Sequence, residues 1–147
     1  MAQTGPMNYR IEAITLPVAD VDRAKAFYEQ AGWHLDVDTE PAPGMRVVQL
    51  TPPGSDCSIT FGVGMGEQSE PGSYRATYLV VSEIEPAHRD LKERGIPVSD
   101  IYHYGPEGQK PGPDPEHRDY YSYANFADPD GNTWLLQEVP SRAETNA

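Results

Sequence analysis

The chain is predicted to be an α+β protein made of two βαβββ modules, and three observations predict it. A strand-then-helix pattern that starts at Ile14 returns 63 positions later, at Thr77. Ile14-Thr-Leu16-Pro-Val18-Ala-Asp20-Val21, then Ala24, Tyr28 and Gly32-Trp33, is matched in register by Thr77-Tyr-Leu79-Val-Val81-Ser-Glu83-Ile84, then Ala87, Leu91 and Gly95-Ile96. Each helical stretch is followed by short strand-like runs separated by Gly and Pro turns. Residues 64–72, rich in Gly, Glu and Ser, read as the linker between the copies. A unit repeated in this way buries its apolar side against a neighbour of its own kind. Two facing modules are then expected to leave a cleft whose lining sets the function.

The elements follow in order. A first strand over residues 11–18 ends at Asp20, whose carboxylate is placed to cap a helix over 21–31 before Gly32 stops it. Ala24, Phe27, Tyr28 and Ala31 share one helix face. Strands are predicted at 33–38, 45–51 and 57–63, the Pro52-Pro53-Gly54 turn joining the last two as a hairpin. The second module repeats the plan with a strand at 75–81, a helix at 84–93, and strands near 97–102, 120–126 and 133–139. Two places break the symmetry. Residues 105–118 form a Pro- and Gly-rich loop longer than its counterpart at 39–44, and long loops are often functional. The string Asp128-Pro-Asp-Gly-Asn132 reads as a tight turn, because the spacing of an EF-hand calcium loop is absent. Residues 10–140 are expected to form one domain, with modules at about 10–64 and 73–140, between a mobile lead (1–9) and a mobile tail (141–147).

Charge narrows the partners. Eleven Lys and Arg against 23 Asp and Glu give a net charge of -12, and no basic cluster offers a footprint for a phosphate backbone or an anionic membrane surface. Neither an export signal nor an apolar run long enough to span a bilayer is present, so the cytoplasm is the expected location. The single Cys57 has no disulfide partner within the chain and reads as a small buried hydrophobe rather than a nucleophile.

The string Leu16-Pro-Val-Ala-Asp20-Val-Asp-Arg-Ala24-Lys-Ala-Phe27-Tyr28, together with the Asp128-Pro-Asp-Gly-Asn132 hairpin leading into a final strand, resembles the vicinal oxygen chelate superfamily of glyoxalases, bleomycin-resistance proteins and extradiol dioxygenases. The resemblance covers residues 10–139. It implies an incomplete eight-stranded barrel built from both modules, often in a homodimer, with one divalent metal held by the first and last strands of each module. The positions that match those ligands are Ala13, Ser58, Ala76 and Leu135. A divalent ion needs several imidazole, carboxylate or thiolate donors, and this set offers one hydroxyl. No metal and no other cofactor is therefore expected. Glu12 and Glu138 sit at odd offsets from the vacant positions and are expected to turn to the opposite face. His34 and His88 read as solvated, and His103 and His117, flanking the long loop, have no metal-ligand spacing.

Strand alternation then gives the expected cleft lining. Ala13, Thr15, Ser58, Thr60, Ala76, Tyr78, Leu135 and Gln137 share the parity of the ligand positions, with Arg46, Val48, Tyr121, Tyr123 and Asn125 on the inner strands. Leu16, Val18, Leu79, Val81, Trp134 and Leu136 are expected to face the helices. Such a lining suits a small organic ligand, and the tyrosines of the second module favour an aromatic or polyketide-like one, although any single Tyr serves equally well in a core or a dimer interface. The expected function is binding of such a molecule without metal chemistry. An alternative is a metal-independent isomerase, cyclase or lyase, in which Arg46 stabilises an oxyanion, Tyr123 relays a proton and His103 or His117 acts as acid or base. That reading lacks a His fixed beside a carboxylate. Further alternatives are a glyoxalase-like enzyme with non-standard metal ligands and a protein that works through dimer or partner contacts.

Overall fold

The computed structural model describes residues 5–143, so the expected mobile ends lie partly outside the described residues. The first module contains β1 (Ala13–Thr15), α1 (Val21–Gln30), β2 (His34–Thr39), β3 (Arg46–Thr51) and β4 (Ser58–Val63). Its sheet has the order β1-β4-β3-β2, with β1 parallel to β4 and the remaining pairs antiparallel. The second module contains β5 (Thr77–Val81), α2 (Ile84–Glu93), β6 (Tyr102–Gly105), β7 (Gly108–Pro111), β8 (Ser122–Ala127) and β9 (Thr133–Glu138), in the order β5-β9-β8-β6-β7. The α+β class and the βαβββ repeat are as predicted, and the two sheets do not close into a barrel. No helix among the described residues is long and apolar enough to cross a membrane.

Local chemistry explains the boundaries. Asp20 has extended backbone, and its Oδ1 accepts the Arg23 N–H at 3.0 Å, which starts α1. Gly32, with φ +93°, ends it. Glu83 stands at the same point before α2 but makes no capping bond. The carboxylate of Glu138 on β9 does so instead, accepting the Ile84 N–H at 2.9 Å. The strand predicted from residue 75 starts only at Thr77, because Ala76 has φ 54°, outside the range a strand tolerates. The strand predicted at 97–102 shrinks to a single bridge between Val98 and Phe126, and regular pairing begins at Tyr102.

The long loop is the largest departure. Instead of running unstructured over 105–118, the chain turns across Pro106 and Glu107, with Gly108 at φ +101°, and returns as β7 against β6. This gives the second sheet a fifth strand and the molecule nine in place of the eight expected.

Both modules share one core. Leu16, Tyr28, Trp33, Leu50 and Phe61 from the first form one buried cluster with Ile84, Leu91, Phe126, Trp134 and Leu136 from the second. The rings of Trp33 and Trp134 meet edge to face at 5.1 Å, and Tyr28 lies 4.8 Å from Trp33. Leu79 and Val81 pack at the margin of this cluster, as their parity predicts. The helix-covered sides of the two sheets therefore meet each other. This corrects the expected cleft: the faces that meet in the common core are the helix sides, and the faces carrying the predicted lining are the opposite ones.

Candidate functional site

The outer face of the second sheet gathers tyrosines. Register places Val80, Gln137, Tyr123 and Tyr102 in one cross-strand row, and Tyr78, Leu135 and Asn125 in the next. Tyr102 and Tyr123 stack at 5.9 Å, and Tyr104 closes the group edge-on at 5.5 Å from Tyr123. The Tyr123 hydroxyl donates to the Tyr120 carbonyl at 2.6 Å and accepts from Gln137 Nε2 at 3.3 Å. Burial and the neighbouring hydroxyls push the Tyr102 phenol above its ordinary value, so the group is neutral at physiological pH. Beside Tyr102 lies a depression of about 630 Å3, walled by Ser99, Asp100, Gln109, Pro111 and Asn125. A second groove, of about 540 Å3, runs between Tyr78 and Val80 and the Pro52-Pro53-Gly54 turn of the first module. Tyr78 is 58% exposed and Val80 47%, side by side on the outer face of β5.

The outer face of the first sheet is polar. Ala13 lies beside Ser58 and Thr15 beside Thr60 across the parallel pair. Ser58 Oγ is 2.6 Å from Thr51 Oγ1, which in turn donates to Asp36. His34 Nδ1 lies 2.8 Å from the same carboxylate. The bonds from Thr51 and His34 hold the Asp36 carboxyl below its usual range. Sequence reasoning missed Thr51, Asp36 and Gln49. The register shift between Leu35 and Val37 hides Asp36 from a parity argument, whereas Gln49 and Thr51 alternate with the buried Val48 and Leu50 and were readable. Glu12 was expected to turn away, yet its Oε2 lies 3.3 Å from Gln49 Nε2.

Several expected site residues lie elsewhere. Arg46 and Val48 share the helix side of β3 with Leu50: Val48 is fully buried in the core, and Arg46 is committed to structure. Its Nη1 donates to Asp22 at 2.8 Å, and its Nε and Nη2 donate to Asp38 at 3.0 Å each. On this strand the twofold period runs on the opposite phase from the one expected, with residues 46, 48 and 50 toward the helices. His103 pairs in register with the buried Ser122, on the helix side, and its Nδ1–H donates to the Gly112 carbonyl at 2.7 Å. His117 does stand beside a carboxylate, Glu138 Oε1 at 3.0 Å, but Glu138 is 2% exposed and alternates with Gln137, so the pair lies on the opposite side of β9 from the tyrosines. The Tyr121 ring is covered by the Arg118 guanidinium at 4.1 Å.

The donor set of the implied metal site does not fit a cation. Ala13 and Ser58 are neighbours, Leu135 sits next to Tyr78, and Ala76 lies just before β5. Among the described residues no group of three or more His, Cys, Asp or Glu is placed to hold a metal ion.

The Glyoxalase/Bleomycin resistance protein/Dioxygenase superfamily model matches residues 10–136. An antibiotic binding protein, TnmS3, from Streptomyces sp. CB03234 is 29% identical, with a TM-score of 0.67 over 92% of this chain and 99% of that one. A glyoxalase/bleomycin resistance protein from the same Streptomyces strain is 30% identical, with a TM-score of 0.64 over 88% of this chain and 100% of that one. A superfamily member from Sphaerobacter thermophilus DSM 20745 is 28% identical, with a TM-score of 0.67 over 90% and 99% of the two chains. No curated protein sequence matches the chain. With the family model spanning both modules and these structures sharing the fold over nearly their whole length, the chain belongs to the Glyoxalase/Bleomycin resistance protein/Dioxygenase superfamily.

Proposed function

We propose that this protein binds a small organic molecule with a flat aromatic portion on the tyrosine-lined face of the second sheet, without a catalytic metal. The observation that carries the reading is the Tyr102–Tyr104–Tyr123 cluster beside an open depression. Such rings offer planar apolar area with hydroxyls at the rim, and the nearby amides of Asn125 and Gln137 supply orienting contacts. Of the residues predicted to bind ligand, Tyr78, Tyr123, Asn125, Leu135 and Gln137 form this wall. Ala13, Thr15, Ser58 and Thr60 form the polar face of the other sheet. The antibiotic-binding relative supports a carrier or sequestering role.

In this reading the two outer faces come together in a homodimer, the first sheet of one copy closing over the second sheet of the other. The exposure of Tyr78, Val80 and Tyr104 supports an interface there. A metal-independent isomerase, cyclase or lyase has less support, because Arg46, His103 and His117 point away from the wall and only Tyr123 of the proposed catalytic set remains on it.

The test is denaturing mass spectrometry and elemental analysis of protein purified from its native host. An aromatic small molecule released in near-stoichiometric amount, with metal well below one equivalent, is the expected result. One equivalent of a transition metal, or absence of binding across a panel of polycyclic aromatic compounds by titration calorimetry, overturns it.

A further inference from the structure

Residues 112–121 cross the end of the second sheet and are pinned at several points. Asp114, buried at 1% exposure, accepts Arg118 Nε and Nη2 at 2.9 and 3.1 Å, and its own N–H donates to Ser122 Oγ at 2.9 Å. Asp119 Oδ1 accepts the Ser141 N–H at 3.0 Å. Within this segment His117 has φ 47° and Tyr120 φ 74°. Left-handed backbone is unfavourable for side chains of this size, so the surrounding contacts must hold it.

Those contacts reach the binding face. The Tyr120 N–H donates to the Glu138 carbonyl at 2.9 Å, and the Tyr120 carbonyl accepts the Tyr123 hydroxyl. The Glu138 side chain holds His117 through Oε1 and the start of α2 through Oε2. A continuous path therefore runs from His117 through Glu138 and the strained Tyr120 peptide to the centre of the tyrosine cluster.

The geometry points to His117 and Tyr120 as positioning residues for Tyr123: the His117–Glu138 pair clamps the segment, the clamp fixes the Tyr120 carbonyl, and the binding face is ordered at low pH and loosens as pH rises. The inference rests on the reading of that face as the binding surface. The groups facing His117 are Glu138 on β9, Glu83 and Glu85 at the start of α2, and Asp114 and Arg118 on its own segment. The hydrogen bond to Glu138 raises the His117 pKa above 6.5, the charges of Glu138, Glu85 and Asp114 add to it, and partial burial opposes it. Arg118 is engaged by Asp114 and stays charged. A raised value means the charged clamp is complete below pH 6.5 and lost as pH climbs through the folded value. Neutral imidazole still donates one hydrogen bond to the carboxylate, so the segment loosens rather than detaches.

The experiment is a pH titration of ligand-free protein carrying labelled tyrosine rings and histidines, followed by NMR, with amide exchange of Tyr120 read alongside. Tyr123 ring signals are expected to shift with the same midpoint as His117. Tyr120 exchange, corrected for its intrinsic pH dependence, should quicken about ten-fold above that midpoint. His117→Gln should abolish the coupled shift. Tyr120→Gly accepts positive φ unaided and should hold the low-pH Tyr123 signal across the whole range. Tyr123 signals that ignore the His117 midpoint, or a shift that survives in His117→Gln, overturn the inference. Because no ligand is present, this failure is distinct from failure to find a bound organic molecule.

Discussion

The Nε1–H of Trp134 donates to the hydroxyl of Tyr28 at 2.9 Å, joining the last strand of the second module to the helix of the first. Tyr28 passes the bond on to Asp128 at 2.7 Å, and Asn132 donates to that same carboxylate at 3.0 Å and to the Pro17 carbonyl at 2.9 Å. The 128–132 turn is thus the buried rivet between the modules. Burial and the adjacent carboxylate push the Tyr28 phenol far above its usual value, so it remains a donor at any ordinary pH. Tyr28→Phe leaves Asp128 and the indole short of a partner and should destabilise the fold by about 2 kcal/mol, since buried polar groups left unpaired cost about 1–3 kcal/mol. Urea denaturation measures it.

The tyrosine wall predicts a separable effect on binding. Tyr102 is half-buried on the outer face, so Tyr102→Ala should change stability little. The loss of one stacking surface should weaken the aromatic ligand about ten-fold, from about 1.4 kcal/mol of lost contact. Titration calorimetry with the molecule recovered from the native protein checks it.

Arg46 predicts the reverse. Its three donors tie β3 to Asp38 and to Asp22 at the start of α1, and Lys25 also reaches Asp38 at 2.8 Å. Arg46→Ala should lower the melting temperature by a few degrees yet leave ligand affinity unchanged. Loss of binding in a variant with unchanged melting would return Arg46 to the site.

Acid stability has a definite sign. The Arg118 guanidinium holds the Asp114 carboxyl well below its unfolded value of 3.8, and Arg46 with Lys25 does the same for Asp38. A depressed carboxyl contributes stability that is complete above pH 3.8 and disappears as pH falls through the folded value. The denaturation midpoint should therefore drop steeply below about pH 4. Asp114→Asn should flatten that limb while lowering stability at pH 7, as a pH series of melting curves would show.

Assembly is tested on the exposed pair. Val80→Glu places a charge in the middle of the proposed interface, and like charges on a strongly acidic chain repel across a twofold contact. Sedimentation equilibrium should show a dimer for the native chain and a monomer for the variant. A native monomer at tens of micromolar would remove the paired-face arrangement.

Much of the fold was legible because it rests on local rules. Asp20, Gly32 and the alternating runs speak through nearest neighbours, and the 63-residue repeat identifies the second copy from the first. The predicted phase failed at β3, where the hairpin turn does not fix which face Arg46 and Val48 take. Arg46 shares the helix side with the buried Val48 and Leu50, and its guanidinium is held there by Asp22 and Asp38. The β6–β7 hairpin was hidden for another reason: Pro and Gly at residues 105–113 carry a turn signal that also describes an open loop. The His117–Glu138 pair spans 21 residues and two elements, and no spacing rule announces it. Which sides of the modules meet is likewise decided by Trp33, Phe126 and Trp134 packing together, a tertiary choice that the repeat leaves open.

The added strand also sets the chemistry of the second sheet's open edge. β7 ends the second sheet with Lys110, paired to Glu107 at 3.0 Å, and Pro111, a residue that has no amide hydrogen to offer. A further strand finds poor purchase on such a margin, so ribbon-like growth of the sheet is blocked there. The proposed pairing of copies through the tyrosine-bearing surface is then a closed one.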